Sequence, residues 1–336
     1  MDSSDNRNAS SLEKLGRFYE LSSGKIWASQ AGEGKRAVVV LTGAGTVALD
    51  YYGIQQLLSK EYTVLLYDRL GIGLSASCNL PRSSRSVIDE LHELLKVANL
   101  PRPCMLIGHS LGGLYARHYA MIYPQDVGGL ILLDPAHEDF DLFMPDDLNK
   151  LRKTPSGEAK QKLIERKWPN SPGMLVRISR NAMGRAILEK VPMVAKYRKI
   201  YAELFSEEMK DWPEEIAESL VKAHTNVEWL IGGSREVLNV YTIYEEVRET
   251  GEVANITTTI LCSMRTDAFK RVVLLGESED QLAAEIVGKK KLYEAYLGKI
   301  KNGKLIEVDS GHVDMPFRCA EIVLQAAQEM AENGLS

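Results

Sequence analysis

The segment Gly108-His109-Ser110-Leu111-Gly112-Gly113 constrains this chain more than any other. A bare G-x-S-x-G arises by chance, but here Cys104–Ile107 precedes it as a strand and Leu114–Tyr123 follows it as a helix. A serine on so sharp a strand-to-helix turn projects its hydroxyl upward. Small residues at 108 and 112 let the backbone fold tightly around it. The free N–H groups of the helix start point toward a developing oxyanion, and Leu111 N–H is the natural donor. An ordinary glycine-rich crossover turn is the plainer alternative, and the flanking strand and helix argue against it.

Around that turn, short apolar runs alternate with helical segments. Ala37–Thr42, Tyr62–Asp68, Met105–Gly108 and Gly129–Leu133 read as strands, and Asp50–Leu58, Arg85–Ala98 and Leu111–Tyr123 as helices. Strands joined by helical crossovers must pair in parallel, with helices on both faces of the sheet. Residues 17–30 add an antiparallel edge hairpin that turns at Ser22–Lys25. From about Phe140 to Thr250 the rhythm stops, and helix-like segments are interrupted by Pro145, Pro155, Pro169, Pro172, Pro192 and Pro213. It resumes with Thr257–Cys262, a helix within Glu279–Leu297, the strand Lys304–Val308 and a helix at Phe317–Glu332. This order predicts an α/β core of residues 17–139 and 251–336 with a helical cap, 140–250, inserted into it. Residues 1–16 read as a polar arm.

Composition narrows the function classes. The chain has 336 residues, 45% apolar and 26% charged, which suits one large core and is too apolar for general disorder. A net charge of −5 gives no global argument for nucleic-acid binding. No apolar run is long enough to span a membrane, and the acidic N-terminus lacks the apolar segment of a secretory signal. Cys78, Cys104, Cys262 and Cys319 are scattered and form neither a disulfide scaffold nor a C-x-x-C pair. A cytoplasmic chain is expected. Within the cap, residues 148–202 hold 14 Lys or Arg against three Glu, and 203–218 hold seven acidic residues against Lys210. Solvated helix faces meeting each other's opposite charge account for this; a surface that recruits an anionic substrate or grazes an anionic membrane is the alternative.

A serine of ordinary acidity needs a base. Of six histidines, His92 and His118 lie in helices flanking the elbow strand, and the His109 ring is expected to point away from Ser110. His137 follows a strand end and is a candidate pocket residue, and His224 lies in the cap. His312 follows the strand Lys304–Val308 and the turn Asp309-Ser310-Gly311, on the same rim of a parallel sheet as Ser110. It is the expected base. The orienting carboxylate should come from a third strand end. Asp267, four residues beyond Thr257–Cys262, is the first choice, and Asp134, directly after Gly129–Leu133 and before Pro135, stays open as the alternative. The turn Thr42-Gly43-Ala44-Gly45-Thr46 lacks the G-x-G-x-x-G register of a dinucleotide loop, so a second oxyanion donor from Ala44 or Gly45 is its expected use. Asp68 and Arg69 read as ties between loops. No H-E-x-x-H or Cys/His cluster calls for a metal, and no cofactor is expected.

Taken together, the GAG turn at 43–45, DRLGIGLS at 68–75, GHSLGG at 108–113, LLDPAH at 132–137, Asp267 and the DSGH segment ending at His312 resemble the α/β-hydrolase fold superfamily over about residues 17–332. The resemblance implies about eight mostly parallel strands, a cap inserted after strand six, and Ser110, Asp267 and His312 as nucleophile, acid and base. Thr42-Gly43 stands where many relatives have His-Gly, and the acid strand lacks the usual Gly-x-x-Asp ending. With serine in place of an aspartate nucleophile, the chain does not resemble haloalkane dehalogenases or soluble epoxide hydrolases.

The expected activity is hydrolysis of a carboxylic ester or lactone through an acyl-enzyme. The long cap suggests a medium-sized or bulky, partly apolar substrate, with Tyr51, Tyr52, Phe140, Phe143, Trp168, Trp212 and Trp229 as candidate wall residues. A carbon–carbon bond hydrolase, or a non-catalytic ligand receptor or scaffold on the same fold, is the alternative. The sequence leaves the oligomeric state open.

Overall fold

The computed structural model describes residues 14–144, 156–160, 162, 172–251, 255–273 and 278–332. An edge hairpin, β1 (Arg17–Leu21) and β2 (Gly24–Ala31), leads to β3 (Ala37–Leu41), a 3₁₀ turn at Ala48–Tyr51, α1 (Tyr52–Leu58) and β4 (Thr63–Tyr67). Then come α2 (Ser84–Val97), β5 (Cys104–His109), α3 (Leu111–Ile122) and β6 (Val127–Leu133). Among the described residues the helices α4 (Phe140–Phe143), α5 (Pro172–Ile178), α6 (Ala182–Glu189), α7 (Pro192–Glu208), α8 (Glu214–His224), α9 (Val227–Glu236) and α10 (Val240–Thr250) follow. The chain returns through β7 (Thr258–Ser263), α11 (Ala268–Val273), α12 (Glu279–Leu297), β8 (Gly303–Val308), α13 (Met315–Arg318) and α14 (Ala320–Glu332).

The strands form one eight-stranded sheet in the order β1-β2-β4-β3-β5-β6-β7-β8. β2 pairs antiparallel with β1 and with β4, and every later pairing is parallel. Strands buried on both faces read as continuous apolar runs. Alternation along them sends Val39, Leu41, Leu106 and Leu132 to one face, against α2, α3 and α12. Val38, Val40, Met105, Ile107 and Leu133 go to the other, against α1 and α14.

Among the described residues no strand lies between β6 and β7, so an inserted helical cap interrupts the sheet rhythm. Pro145, Pro155 and Pro169 lie outside the described residues; the other cap prolines start helices, Pro172 and Pro192 opening α5 and α7 and Pro213 immediately preceding α8. Proline at a first helical position is tolerated because its missing N–H would have had no partner there. Leu175, Leu188, Met193, Tyr197 and Ile231 form a small core within the cap, while Tyr201, Phe205, Ile216 and Leu220 join the apolar layer beneath the sheet. The acidic segment does not simply face the basic one: Glu207 and Glu208 pair with Arg318 of the core. No helix among the described residues is long and apolar enough to cross a membrane. The carboxyl ends of the parallel strands share one rim, and the loops bearing Ala44, Ser110, Asp134, Asp267 and His312 all leave from it.

Candidate active site

Ser110 sits at φ 52° and ψ −120°, between the last residue of β5 and the first of α3. A non-glycine residue holds such a backbone only when its surroundings over-determine it. They do: Ser110 N–H donates to Leu133 O at 3.0 Å, and Ser110 O accepts from Gly113 N at 3.0 Å and Ala136 N at 2.8 Å. The crossing is as tight as its glycines suggest. A Cβ on Gly108 would stand 2.6 Å from Gly113 Cα, and one on Gly112 would stand 2.2 Å from Leu41 O.

His312 Nε2 lies 3.0 Å from Ser110 Oγ, and His312 Nδ1 lies 2.7 Å from Asp134 Oδ2. A carboxylate only accepts, so Nδ1 carries the hydrogen and Nε2 is left to accept the serine proton. Ser263 N–H donates to Asp134 Oδ1 at 3.1 Å and Ser263 Oγ–H to Oδ2 at 2.9 Å, while Lys289 Nζ stands 2.8 Å from Oδ1. Burial would raise the Asp134 carboxyl, but the Lys289 charge and the His312 hydrogen bond overcome it and hold it well below the usual carboxylate range.

This geometry corrects the first choice of acid. Asp267 is near the same loop, yet its carboxylate serves backbone: Oδ1 accepts from Lys270 N at 2.6 Å, capping α11, and Oδ2 accepts from Val313 N at 3.1 Å. Asp134, at φ 43°, turns from the end of β6 toward the imidazole. The four-residue excursion to Asp267 ends in a helix cap and a loop clamp beside His312, not at its ring.

His109 does turn away from Ser110. Its Nε2 donates to the His312 carbonyl at 2.9 Å, so Nδ1 must accept, and Tyr51 O–H supplies the proton at 2.8 Å. Tyr51 O in turn accepts Gly43 N–H at 2.9 Å. Burial, then the nearby His312 charge, pushes His109 down to about 3, so it is neutral. Tyr51 is therefore no pocket wall: fully buried, it joins the glycine-rich turn to the loop of the base.

That turn is also fixed from the cap. Gly45 N–H donates to Glu236 Oε2 at 2.7 Å, and Glu236 Oε1 accepts from Arg69 Nε at 3.0 Å and Nη2 at 2.8 Å. Arg69 further donates to Thr42 O at 2.6 Å and Gly43 O at 2.9 Å. Of the two expected donors on this side, the Gly45 amide is thus engaged by Glu236, which leaves Ala44. Asp68 accepts from Ala48 N and Leu74 N, so Asp68 and Arg69 both tie loops.

The wall candidates separate. Trp229 Nε1 lies 3.7 Å from where a Cβ of Gly45 would stand, buried and, among the described residues, without a hydrogen-bond partner, and its ring meets Tyr201 and Phe269. Trp212 packs edge-on against Tyr52 and beside Phe317, filling the seam between cap and core. Phe140 and Phe143 pack on the opposite layer with α12, and the His137 Nδ1 accepts from Asp139 N at 3.0 Å. Trp168 lies outside the described residues. His224 is bound to Asp50 at 2.6 Å, and His118 to Ser84 and Thr250. Lys289, Ser263 and Glu236 carry no sequence signal; only the folded chain brings them to the site.

Among the described residues one grouping, His137, Glu138 and Asp139, has ligand atoms close enough to share an ion. Arg117 already holds both Glu138 oxygens, at 2.8 and 2.9 Å, and the His137 Nδ1 lone pair is occupied, so this donor set does not fit a metal.

A family profile described as the alpha/beta hydrolase family matches residues 38–326. YbdG of Bacillus subtilis, an uncharacterized protein, is 30% identical over 132 residues, 38% of this chain and 40% of its own. YqjL of the same organism is 30% identical over 115 residues, 34% of this chain and 46% of its own, so the matches span less than half of these relatives. Among solved structures, a hydrolase from Pseudomonas aeruginosa PA01 superposes with a TM-score of 0.56 at 15% identity, covering 94% of this chain and 98% of that one. The enol-lactonase from Burkholderia xenovorans superposes with a TM-score of 0.55 at 14% identity, covering 94% and 100%. At such identities the likeness speaks for the fold alone.

Proposed function

Because this chain belongs to the alpha/beta hydrolase family, we propose that its Ser110–His312–Asp134 line works as a serine hydrolase on a carboxylic ester or lactone. One observation carries the reading: the continuous path from Ser110 Oγ through the imidazole to Asp134, with contacts of 3.0 and 2.7 Å. Ser110 Oγ attacks the carbonyl carbon and gives its proton to His312 Nε2, while the carbonyl electron pair moves onto oxygen. Leu111 N–H and Ala44 N–H receive that oxyanion. Collapse expels the alcohol oxygen, which takes the proton from His312 and leaves the acyl group on Ser110. Water then gives a proton to His312 and attacks the acyl carbon, freeing the acid and the serine. Asp134 keeps the imidazole in the required tautomer throughout.

The substrate is a small molecule of medium size with apolar parts. Trp229 beside Gly45, with Tyr201 and Phe269 behind it, supports an aromatic wall reaching down from cap residues 140–250 to the reacting centre. Cys78, Cys104, Cys262 and Cys319 are all free, which suits a reducing compartment, and the cytoplasm is the proposed location. The test is a panel of aryl esters, aliphatic esters and lactones, read by mass spectrometry with and without excess chelator. Cleavage of panel members at a chelator-independent rate is expected. An untouched panel together with cleavage of a vinylogous diketone would move the assignment to carbon–carbon bond hydrolysis.

A further inference from the structure

Asp134 is shared. Lys289, on α12, brings its ammonium to 2.8 Å from Asp134 Oδ1 and 3.0 Å from Oδ2, and donates to Ser263 O at 2.8 Å and Ser263 Oγ at 2.5 Å. Its three hydrogens thus have three acceptors: the carboxylate, a carbonyl and a hydroxyl. The side chains of Lys289 and Asp134 are 16% and 4% exposed, so water screens the pair little. Of the three successive lysines in α12, Lys290 reaches out to Glu307 on β8 and Lys291 is exposed; only Lys289 turns inward.

We propose that Lys289 is a positioning residue of the catalytic line: by sharing Asp134 with His312, it holds the carboxylate in place and keeps the imidazole in its neutral, proton-accepting form at lower pH than Asp134 alone would. This rests on the serine-hydrolase reading above. The reasoning is electrostatic. Without Lys289 the imidazolium would form against a lone buried carboxylate, and the site would pass from net negative to neutral. With Lys289 the carboxylate is already balanced, and the site passes from neutral to positive, which is harder to sustain at low dielectric. The Lys289 charge therefore works against protonation of the imidazole and favours return of the proton to a leaving alcohol.

Among the described residues, the other charged groups around this centre have partners elsewhere or are neutral, while Lys289 is bonded to Asp134 itself. His109, whose ring lies 4.9 Å from that of His312, is buried and neutral. Burial keeps Tyr293 and Cys262 protonated, Cys262 pushed up to about 12. Asp267 faces Val313 N, and Asp314 stands 3.5 Å from Arg318. Arg265 pairs with Asp309, Lys270 with Glu285 and Lys290 with Glu307.

The experiment compares Lys289→Met, Lys289→Gln and Lys289→Arg, each checked for native circular dichroism, in two readouts. The first is the pH dependence of Ser110 labelling by a fluorophosphonate; the second is the titration of the His312 ring followed by NMR. In the Met and Gln variants the acidic limb of labelling and the His312 titration should both move to higher pH, by about one unit, whereas Arg should hold them near the wild-type position. An unmoved limb and an unmoved His312 titration in both neutral variants would overturn the proposal. Failure of the wild-type protein to label at any pH would overturn the hydrolase reading instead. The NMR titration would then still decide the role of Lys289, shift or no shift.

Discussion

Asp134 Oδ2 stands 2.7 Å from His312 Nδ1, while the carboxylate of Asp267 is occupied by the amides of Lys270 and Val313. Two aspartates from neighbouring strand ends thus divide the work on one loop. Asp134 orients the imidazole, and Asp267 holds the backbone that carries it. Asp134→Asn should lower kcat by at least roughly 100-fold, since an amide cannot fix the tautomer or balance the imidazolium. It should also lower Tm, because Lys289 is left without its counter-charge. Asp267→Asn keeps an acceptor for the α11 cap and should change kcat by less than about tenfold. Steady-state rates and melting curves of the two variants check both statements, and a dead Asp267→Asn beside an active Asp134→Asn would reverse them.

Glu236 couples the cap to the turn proposed to receive the oxyanion. Its carboxylate holds Arg69 with one oxygen and Gly45 N–H with the other, and both charged side chains are almost fully buried. Glu236→Gln puts an amide where two donors converge and leaves Arg69 uncompensated. The expected loss of stability is about 3–5 kcal/mol, measured by urea denaturation. Turnover of even a small ester should fall with it, because the turn bearing Ala44 loses its anchor.

Trp229 offers a buried indole N–H next to Gly45 with no hydrogen-bond partner among the described residues. Trp229→Phe removes that donor together with part of the ring and keeps much of the apolar surface. KM for bulky substrates carrying a hydrogen-bond acceptor should rise several-fold, about 1 kcal/mol, while a short aryl ester is little changed. Equal losses on all substrates would show that the residue supports the chemical centre itself.

Acid should weaken this fold early. Burial lowers His109 to about 3 and His118 to about 4, both below the unfolded value of about 6.5. The unfolded chain therefore binds more protons between these limits. The contribution of these two histidines to stability is complete above about pH 6.5 and is lost as pH falls toward 3. Glu138 adds a second loss: burial opposes, but Arg117 holds it down to about 2, so its contribution fades as pH falls below the ordinary carboxylate range. Tm measured from pH 8 to pH 4 should decline from about 6.5 downward. His118→Gln, which does not titrate, should flatten the slope, and a Tm independent of pH over this range would contradict the assignment.

Much of this architecture was legible in the sequence because it rests on local pattern. The apolar run before GHSLGG, the helix after it and the DSGH turn fixed the rim on which Ser110 and His312 meet. The acid was harder. Asp134 and Asp267 both follow strands on the correct rim, and the choice between them depends on a φ of 43° and on which carboxylate is taken by a helix cap. Tyr51 read as a wall because aromatics near a rim turn often line pockets; its hydroxyl instead bridges Gly43 and His109. Lys289 and Glu236 were invisible. Each lies in a helix with no motif around it, more than 100 residues from Asp134 or from Gly45 respectively, and only tertiary packing turns it inward.

The central claim is that Ser110 is the nucleophile of this line, and covalent labelling tests it most directly. Wild-type protein treated with a fluorophosphonate should gain one adduct, found by peptide mass spectrometry on Ser110, with loss of ester turnover in the same proportion. Ser110→Ala, folded by circular dichroism, should take up no adduct and lose turnover by several orders of magnitude. An adduct on another residue, or a Ser110→Ala protein that still cleaves the ester at the wild-type rate, would contradict the account.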